Sequence, residues 1–454
     1  MNHILDKYNV PVPRYTSYPP ANFFHDGITA ESYIEAVSAS NDLLPSNLSF
    51  YIHFPYCEQL CHYCGCNSYL RTQSTDEALY FETLLKEMDL VISRIDPSRK
   101  ISQIHFGGGS PSLADPAFLA KVIDKLSSRF SFIERPEIAI ECHPGHLAEE
   151  GYEALLALGF TRISLGVQDF STEVLRAVHR LEPLLPIEEV QEILQRHRVP
   201  LNLDFIYGLP LQTPESFEAT IQRAIRLRPN RLVTFSYAHV PSMFPAQKLL
   251  EKIGLPTPEE KEEMYRRARR SLLESGYLQI GLDHFVLPTD ELHDAAVEHR
   301  LHRNFQGYCT RRTTGQVYAF GVSAISQLTT MYAQNSKDIP TYLKVVNEGR
   351  LPVYRGYRLS PQEQVVREVI TALMCNEQIS WSDLAEHLQM TPEAVRHSTA
   401  YDRREMEQLQ ADGLIDLTED GIRLASQGSP FLRYVASRLD PLHDKGGHTY
   451  SKPI

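Results

Sequence analysis

Four of the seven cysteines lie within ten residues, Cys57, Cys61, Cys64 and Cys66, whereas Cys142, Cys309 and Cys375 stand apart. In a chain without a secretory pattern such crowding reads as metal binding or redox chemistry, not a disulfide framework. The three isolated thiols read as small buried hydrophobes. Cys57-x3-Cys61-x2-Cys64 is an uneven triplet. Structural zinc usually takes two ligand pairs separated by a longer loop, so these crowded cysteines fit zinc poorly. Three thiolates on one short loop suit three irons of a [4Fe–4S] cluster, with the fourth iron open to a small molecule. The bland alternative, three unliganded core cysteines, is poor because near neighbours on a loop cannot each be buried separately. A second feature is Gly107-Gly108-Gly109-Ser110-Pro111; alone it is weak, since glycines mark many turns.

The elements that must position these groups repeat along the chain. Short β-rich runs cover residues 47–54, 101–106, 137–141, 162–167, 201–207 and 231–238, and amphipathic helical patterns usually follow them. They predict six βα units around a parallel sheet. Pattern alone leaves an incomplete barrel and an open doubly wound sheet both standing; in either, functional groups gather at the carboxyl ends of the strands. The triplet follows the first run and the glycines follow the second. Glu141, Gln168 and Asp204 fall at or near strand ends, where they can reach a cationic or hydroxyl-bearing ligand. Ser74 and Glu77 suggest a capping box opening a helix whose face is Phe81, Leu84, Leu85, Met88, Val91, Ile92 and Ile95.

The 454 residues allow two to four domains and sizeable cores. Residues 1–45 are Pro- and Tyr-rich with little periodicity, an arm that packs on something else. Residues 46–250 are the core, 251–345 a mixed extension, and 346–454 a separate small domain. In the last, Ser360, Pro361 and Glu363 supply a cap, an N1 proline and a capping-box acid ahead of the stripe Val366, Val369, Ile370 and Leu373. Shorter helical patterns then lead to a hairpin turning at Asp420-Gly421, as in a winged helix. A net charge of −12 argues against a general nucleic-acid or anionic-membrane binder. No apolar run approaches a membrane span, and the start shows no secretory signal, so a cytoplasmic protein is expected.

Cys57-Glu58-Gln59-Leu60-Cys61-His62-Tyr63-Cys64 resembles the radical S-adenosylmethionine (SAM) signature, and Gly107–Pro111 resembles that superfamily's SAM-binding glycine segment. Over nearly its whole length the chain resembles the oxygen-independent coproporphyrinogen III oxidases. The strings that carry this are Pro13–Pro19 (PRYTSYP), Cys64-Gly65-Cys66-Asn67, Gly166–Phe170 (GVQDF), Asp204–Pro210 (DFIYGLP), His302–Tyr308 (HRNFQGY) and the closing Tyr-Ser-Lys-Pro-Ile. The resemblance implies an α/β fold: a partial (β/α)6 radical SAM barrel with an N-terminal substrate-capping arm and a C-terminal, mostly helical, winged-helix-like domain.

By the same resemblance Cys57, Cys61 and Cys64 hold a [4Fe–4S] cluster, Cys66 is not a ligand, and two SAM molecules bind side by side. Tyr51, Gly108, Glu141 and Ile325 match positions contacting the cluster-bound SAM; Tyr63, Gly109, Ser110, Gln168, Arg180, Asp204 and Ala238 match positions contacting the second. Taken alone, Arg180 reads equally well as a surface arginine pairing with Glu182. Arg14 and Arg303 are candidates for the propionates of a tetrapyrrole substrate, since a guanidinium holds a carboxylate bidentately. Phe305 and Gln306 match a loop that approaches the SAM site. The implied reaction converts two propionates of coproporphyrinogen III to vinyl groups in anaerobic heme biosynthesis. No catalytic residue beyond cluster and SAM is assigned. An unidentified electron donor and a monomeric state are expected, with no nucleic-acid or membrane partner. His143 departs from the family's usual Asp or Asn and reads as structural, and Ser110 replaces the usual Thr.

Three other readings compete. A heme chaperone or heme-modifying radical methyltransferase shares the triplet and glycines, but as a rule lacks the fourth cysteine and the PRYTSYP arm. An Fe–S DNA-binding sensor would need a basic reading helix, yet residues 401–413 carry two arginines against four acids. A zinc-stabilised structural protein is disfavoured by the ligand spacing.

Overall fold

The computed structural model describes residues 2–443, 445, 447 and 450–453. Of the closing Tyr-Ser-Lys-Pro-Ile string, Ile454 lies outside the described residues. The chain divides into two compact units built from non-contiguous stretches: His25–Tyr277 with Arg312–Gly356, and Met1–Phe24 with Leu278–Arg311 and Tyr357–Ile454.

The first unit is organised by β1 (Leu48–Phe54), β2 (Ile101–Gly108), β3 (Phe132–Cys142), β4 (Arg162–Gln168), β5 (Leu201–Tyr207) and β6 (Arg231–Ser236). Each pairs in parallel with the next. This order contains no reversal, which separates a singly wound, barrel-type sheet from a doubly wound one with its switch point. Nearly all of β2 is buried, as expected of a parallel strand covered on both faces. In contrast, β4 and β5 alternate: Ser164, Gly166 and Gln168, then Asn202, Asp204 and Ile206, are partly open while their neighbours are buried. The two-residue period of a strand therefore gives these two one open polar face.

The six repeats do not complete the sheet. β7 (Gln316–Phe320) pairs in parallel with the other edge of β1, and β8 (Ile325–Gln327), β9 (Met331–Asn335) and β10 (Val353–Arg358) continue outward. Phe50 on β1 meets Phe320 and Tyr318 of β7 at 6.2 and 5.9 Å between ring centroids. Such aromatic pairs add roughly 0.5–1.5 kcal/mol to the burial itself.

The first crossover helix is Glu77–Ile92, with Phe81, Leu84, Met88, Val91 and Ile92 buried. Its cap is Asp76, whose carboxylate accepts from Leu79 N at 2.8 Å, not Ser74. The expected Ser74–Glu77 box is absent because Ser74 is engaged with Thr72 in the preceding turn, while Glu77 pairs with Arg71 at 2.6 Å.

In the second unit, helix Pro361–Asn376 opens with the expected capping box: Ser360 Oγ accepts from Glu363 N at 3.3 Å and Ser360 N donates to Glu363 Oε2 at 2.8 Å. Val366, Val369, Ile370 and Leu373 are buried below it. Helices Trp381–Leu388, Pro392–Ser398 and Arg403–Ala411 precede the hairpin Ile415–Thr418 and Gly421–Leu424, which Gln378–Ser380 extends to three strands. The tight turn is Glu419-Asp420, one residue earlier than expected. Its Asp420 accepts from the hydroxyls of Ser380 and Ser382, both at 2.7 Å, and so ties the hairpin to the start of helix Trp381–Leu388. Tyr8, Tyr15 and Tyr18 of the N-terminal segment join the apolar core of this unit. Tyr15 donates to Asp440 at 2.9 Å, and buried Arg433 donates to Pro13 O at 3.0 Å. Cys142, Cys309 and Cys375 are buried free thiols. No helix among the described residues is long and apolar enough to cross a membrane.

Candidate cluster and ligand site

The loop leaving β1 carries the triplet, and its neighbours aim hydrogen-bond donors at all three sulfurs. Ser110 Oγ lies 3.7 Å from Cys57 Sγ, Arg180 Nη1 3.4 Å from Cys61 Sγ, and Cys66 N 3.4 Å from Cys64 Sγ. Donors of this kind stabilise sulfur that carries negative charge. The Cys66 thiol and backbone draw Cys64 down to about 6, while burial pushes Cys57 up to about 11. The three do not all ionise unaided at neutral pH; a bound metal's charge would complete it. Among the described residues no three His, Cys, Asp or Glu groups converge on one ion. A cluster needs no such convergence, because each cysteine takes a different iron. The residues fit a [4Fe–4S] cluster better than a mononuclear metal.

The loop is clamped from several sides. His62 N donates to Val178 O at 3.0 Å, and the His62 ring stacks on His179 at 4.9 Å. On another side Glu58 meets His146 Nδ1 at 3.3 Å. His146 packs on His143 at 4.3 Å, and His143 Nδ1 accepts from Gly145 N at 3.0 Å. Burial pushes His143 down to about 2, so this departure from the family pattern is a neutral, buried ring.

The glycine segment ends β2 against this loop. Gly108 has φ +117°, and a Cβ on Gly109 would stand 2.6 Å from Tyr56 O. Only glycine permits that backbone path and that approach. Gly109 N donates to Phe54 O at 2.7 Å, and Ser110 N to Tyr56 O at 2.9 Å. Glu141, near the end of β3, accepts from Gly108 N at 3.2 Å and meets His105 Nε2 at 3.0 Å; Tyr51 of β1 stacks on His105 at 5.9 Å. The structure thus brings Tyr51, Gly108, Gly109, Ser110 and Glu141 together around the cysteine loop.

Further along the same carboxyl edge, Gln168 ends β4 in a left-handed conformation, φ +69°, with its Oε1 buried and unpartnered among the described residues. Asp204 of β5 accepts from Ser164 Oγ at 3.0 Å and Asn202 Nδ2 at 2.9 Å. Arg180, 8 % exposed, also donates to Tyr63 OH at 3.1 Å and to Gly166 O. Glu182 instead binds Arg176 at 3.0 Å, which disposes of the surface-pair alternative for Arg180. Burial opposes the Arg180 charge, yet Tyr63, Cys61 and Cys64 raise its pKa on balance. Ala238 follows β6, and Ile325 opens β8. The donors and acceptors fixed here, with an orphaned amide oxygen among them, suit a polar zwitterionic ligand such as SAM.

Two positioning residues carried no sequence signal. Gln247 Nε2 reaches both Tyr63 O and Ala238 O at 3.1 Å, joining the cysteine loop to the segment after β6. His105 was legible only as a strand residue two positions before Gly107. Arg14, Arg303, Phe305 and Gln306 belong to the second unit. The HRNFQGY string is a hairpin, Leu301–Asn304 with Gly307–Thr310, and Phe305-Gln306 is its turn. Arg303 Nη1 donates to the backbone carbonyl of Arg14 at 3.5 Å, so the two candidate residues are neighbours through the main chain.

Residues 51–224 match the radical SAM superfamily and residues 359–431 the HemN C-terminal domain. The chain is 36% identical to an oxygen-independent coproporphyrinogen III oxidase of Pseudomonas aeruginosa over 443 residues, 96% of this chain and 95% of the relative. It is also 36% identical to that of Escherichia coli over 447 residues, 96% and 94% of the two chains. The solved structure described as coproporphyrinogen III oxidase (HemN) from Escherichia coli, a radical SAM enzyme, superposes with a TM-score of 0.85 over 94% of this chain and 97% of the other, at 36% identity. The chain therefore belongs to the oxygen-independent coproporphyrinogen III oxidases of the radical SAM superfamily.

Proposed function

We propose that this protein oxidatively decarboxylates two propionate side chains of coproporphyrinogen III to vinyl groups, giving protoporphyrinogen IX, with two SAM molecules bound beside one [4Fe–4S] cluster. Each conversion removes a hydrogen atom from the propionate β-carbon, releases CO2 and passes one electron to an acceptor. Cluster and SAM supply the hydrogen-abstracting radical chemistry, and the protein's part is position and exclusion. Cys57, Cys61 and Cys64 hold the irons. Tyr51, Gly108, Glu141 and Ile325 line the first SAM, with Glu141 pinned by Gly108 N and His105. Tyr63, Gly109, Ser110, Gln168, Arg180, Asp204 and Ala238 line the second, with Arg180 tying that site to Cys61. Arg14, Arg303, Phe305 and Gln306 face substrate.

Residues 1–45 act as the substrate-capping arm, 46–250 as the radical SAM core, 251–345 as the extension bearing the HRNFQGY loop and 346–454 as the C-terminal domain. The protein works as a cytoplasmic monomer fed by a separate electron donor, without nucleic-acid or membrane partners. The single observation that carries the reading is the donor set at all three loop sulfurs beside a strand edge bearing fixed acids and a buried arginine.

Anaerobic turnover tests it, with reconstituted cluster, SAM, a strong reductant, coproporphyrinogen III and cell extract as acceptor. Two vinyl groups per substrate with 5′-deoxyadenosine released are expected. Deoxyadenosine without decarboxylation would move the substrate elsewhere, and a loaded cluster that cleaves no SAM would overturn the reading.

A further inference from the structure

The N-terminal arm enters the second unit through a segment that cannot pair as ordinary backbone. In Pro11-Val12-Pro13 both prolines lack an N–H, so only Val12 N is left to donate, and it goes to Ser451 O at 3.2 Å. Val12 and Pro13 are nevertheless buried, and their carbonyls need donors from elsewhere. Arg433, itself buried, supplies them: its Nε donates to Pro13 O at 3.0 Å and its Nη2 to Val12 O. The same guanidinium holds the Ser451-Lys452 segment, donating from Nη1 to Lys452 O at 2.9 Å and from Nη2 to Ser451 O at 2.9 Å and Ser451 Oγ at 3.1 Å. The next carbonyl of the arm, Arg14 O, accepts from Arg303 Nη1 at 3.5 Å. Three successive arm carbonyls therefore end on guanidiniums.

The arm turns at this point. Tyr15 is left-handed, φ +50°, a conformation that a bulky residue keeps only where its surroundings impose it. Arg14 is exposed, whereas Pro13 and Tyr15 on either side are buried. The Tyr15 hydroxyl donates to Asp440 Oδ2 at 2.9 Å, and Asp440 is buried. Arg433 belongs to helix Leu432–Ser437, and Asp440 follows it. One short stretch of chain thus grips the arm on both sides of Arg14.

We propose that Arg433 is a positioning residue for tetrapyrrole binding: it latches the arm to the Ser451-Lys452 segment and, with Asp440, holds the strained Arg14-Tyr15 turn, so that the arm is already seated when substrate binds. This rests on the capping-arm reading above. Arg433 touches no substrate and acts through the main chain of the arm. Its five N–H groups, set in a rigid fork, reach both segments at once; the three donors of a lysine ammonium radiate from a single point and do not.

The test combines steady-state turnover of coproporphyrinogen III, SAM cleavage without substrate, and amide hydrogen exchange, all on the full chain with its cluster loaded. Arg433→Gln is expected to raise KM for coproporphyrinogen III at least tenfold, with kcat and uncoupled SAM cleavage changed less than twofold. Exchange at the Val12 amide should quicken, while helix Pro361–Asn376 keeps its wild-type protection. Arg433→Lys should fall between wild type and Arg433→Gln. Tyr15→Phe, which keeps the ring in the core but loses the bond to Asp440, should raise KM by less than Arg433→Gln does. If Arg433→Gln does not fold, these two milder variants carry the test. Faster Val12 exchange with an unchanged KM would overturn the proposal, because the seat of the arm would then not govern binding. Unchanged exchange would overturn it too, since Arg433 would then hold nothing in place. Equal falls in kcat and SAM cleavage together with lost helix protection, in the milder variants as well, would reduce Arg433 to a folding role and overturn it. Wild-type protein that converts no coproporphyrinogen III would overturn the assigned reaction, and this inference with it.

Discussion

The two units build their polar sites by opposite means. In the first, the backbone does most of the positioning: parallel strands end side by side, Gly108 N binds Glu141, and Gly109 lets the cysteine loop approach β2 to contact distance. In the second, side chains do the holding. Arg303 rests on Tyr308, Asp283 grips His284, and Arg433 gathers the distant Pro13 and Lys452 carbonyls at 3.0 and 2.9 Å. A backbone-built site tolerates little change in the main-chain path, whereas a side-chain-built site is tuned residue by residue.

The largest break in this comparison is Cys61→Ala. It removes a sulfur that receives the Arg180 donor, so iron and acid-labile sulfide should fall to background and SAM cleavage should be lost. Circular dichroism of the variant should stay close to wild type, because the loop adds little to either apolar core. A variant that keeps full iron content would mean that Cys61 is no ligand.

Gly109→Ala is the next. Its Cβ would meet Tyr56 O at 2.6 Å and Pro55 C at 2.9 Å, both main-chain atoms that cannot turn aside. Overpacking of this kind costs roughly 1–3 kcal/mol. SAM affinity, measured by equilibrium dialysis on the loaded protein, should drop at least tenfold, and iron should be retained less well. The matching change in the second unit, Arg303→Lys, should leave both quantities unaltered. Equal losses in the two variants would erase the distinction between backbone-built and side-chain-built sites.

The same distinction decides what the sequence made legible. Every strand from β1 to β6 lies within a few residues of its predicted run, apart from the early start of β3 at Phe132, because apolar runs bounded by turn residues are local signals. The triplet, the glycines and the Ser360–Glu363 box were legible for the same reason. β7 was not: Gln316–Phe320 lies some 260 residues beyond β1 and becomes a core strand only through pairing with it. Arg14 and Arg303 were each singled out, yet their meeting spans 289 residues and no spacing rule reaches that far. Ser74 reads as the cap and Asp76 does the capping: both residue types cap well, and the turn before the helix settles which one does.

Behind the first unit's site, Glu87 tests whether its backbone grip extends inward. Its carboxylate accepts from Gly321 N at 2.9 Å, Asn335 Nδ2 at 2.6 Å and Tyr342 OH at 2.6 Å. Burial nonetheless raises its pKa to about 7, against an ordinary 4.5. A carboxyl raised in the folded state contributes most below its unfolded pKa, and that contribution fades as pH rises through the folded value. From about pH 4.5 to 7 the group should cost stability, about 3 kcal/mol in total at about 1.4 kcal/mol per pH unit. Glu87→Gln removes this slope, and its misplaced amide adds a penalty that does not vary with pH. Urea unfolding at pH 5 and 8 should therefore show the variant gaining on wild type at the higher pH. A constant difference would mean that Glu87 is charged throughout.

The smallest effect sharpens the comparison from the other side. Ser360→Ala deletes one half of the capping box on helix Pro361–Asn376 and leaves Glu363 N without its side-chain acceptor, at a cost of about 1 kcal/mol. The helix's buried stripe, Val366, Val369, Ile370 and Leu373, belongs to the second unit's core alone. The loss should appear as faster amide exchange in that helix and a small drop in the first unfolding midpoint, with iron content and SAM affinity unchanged. If SAM affinity fell with the cap, the strand-end site would depend on the packing of the second unit, and the division of labour between backbone and side chains would have to be redrawn.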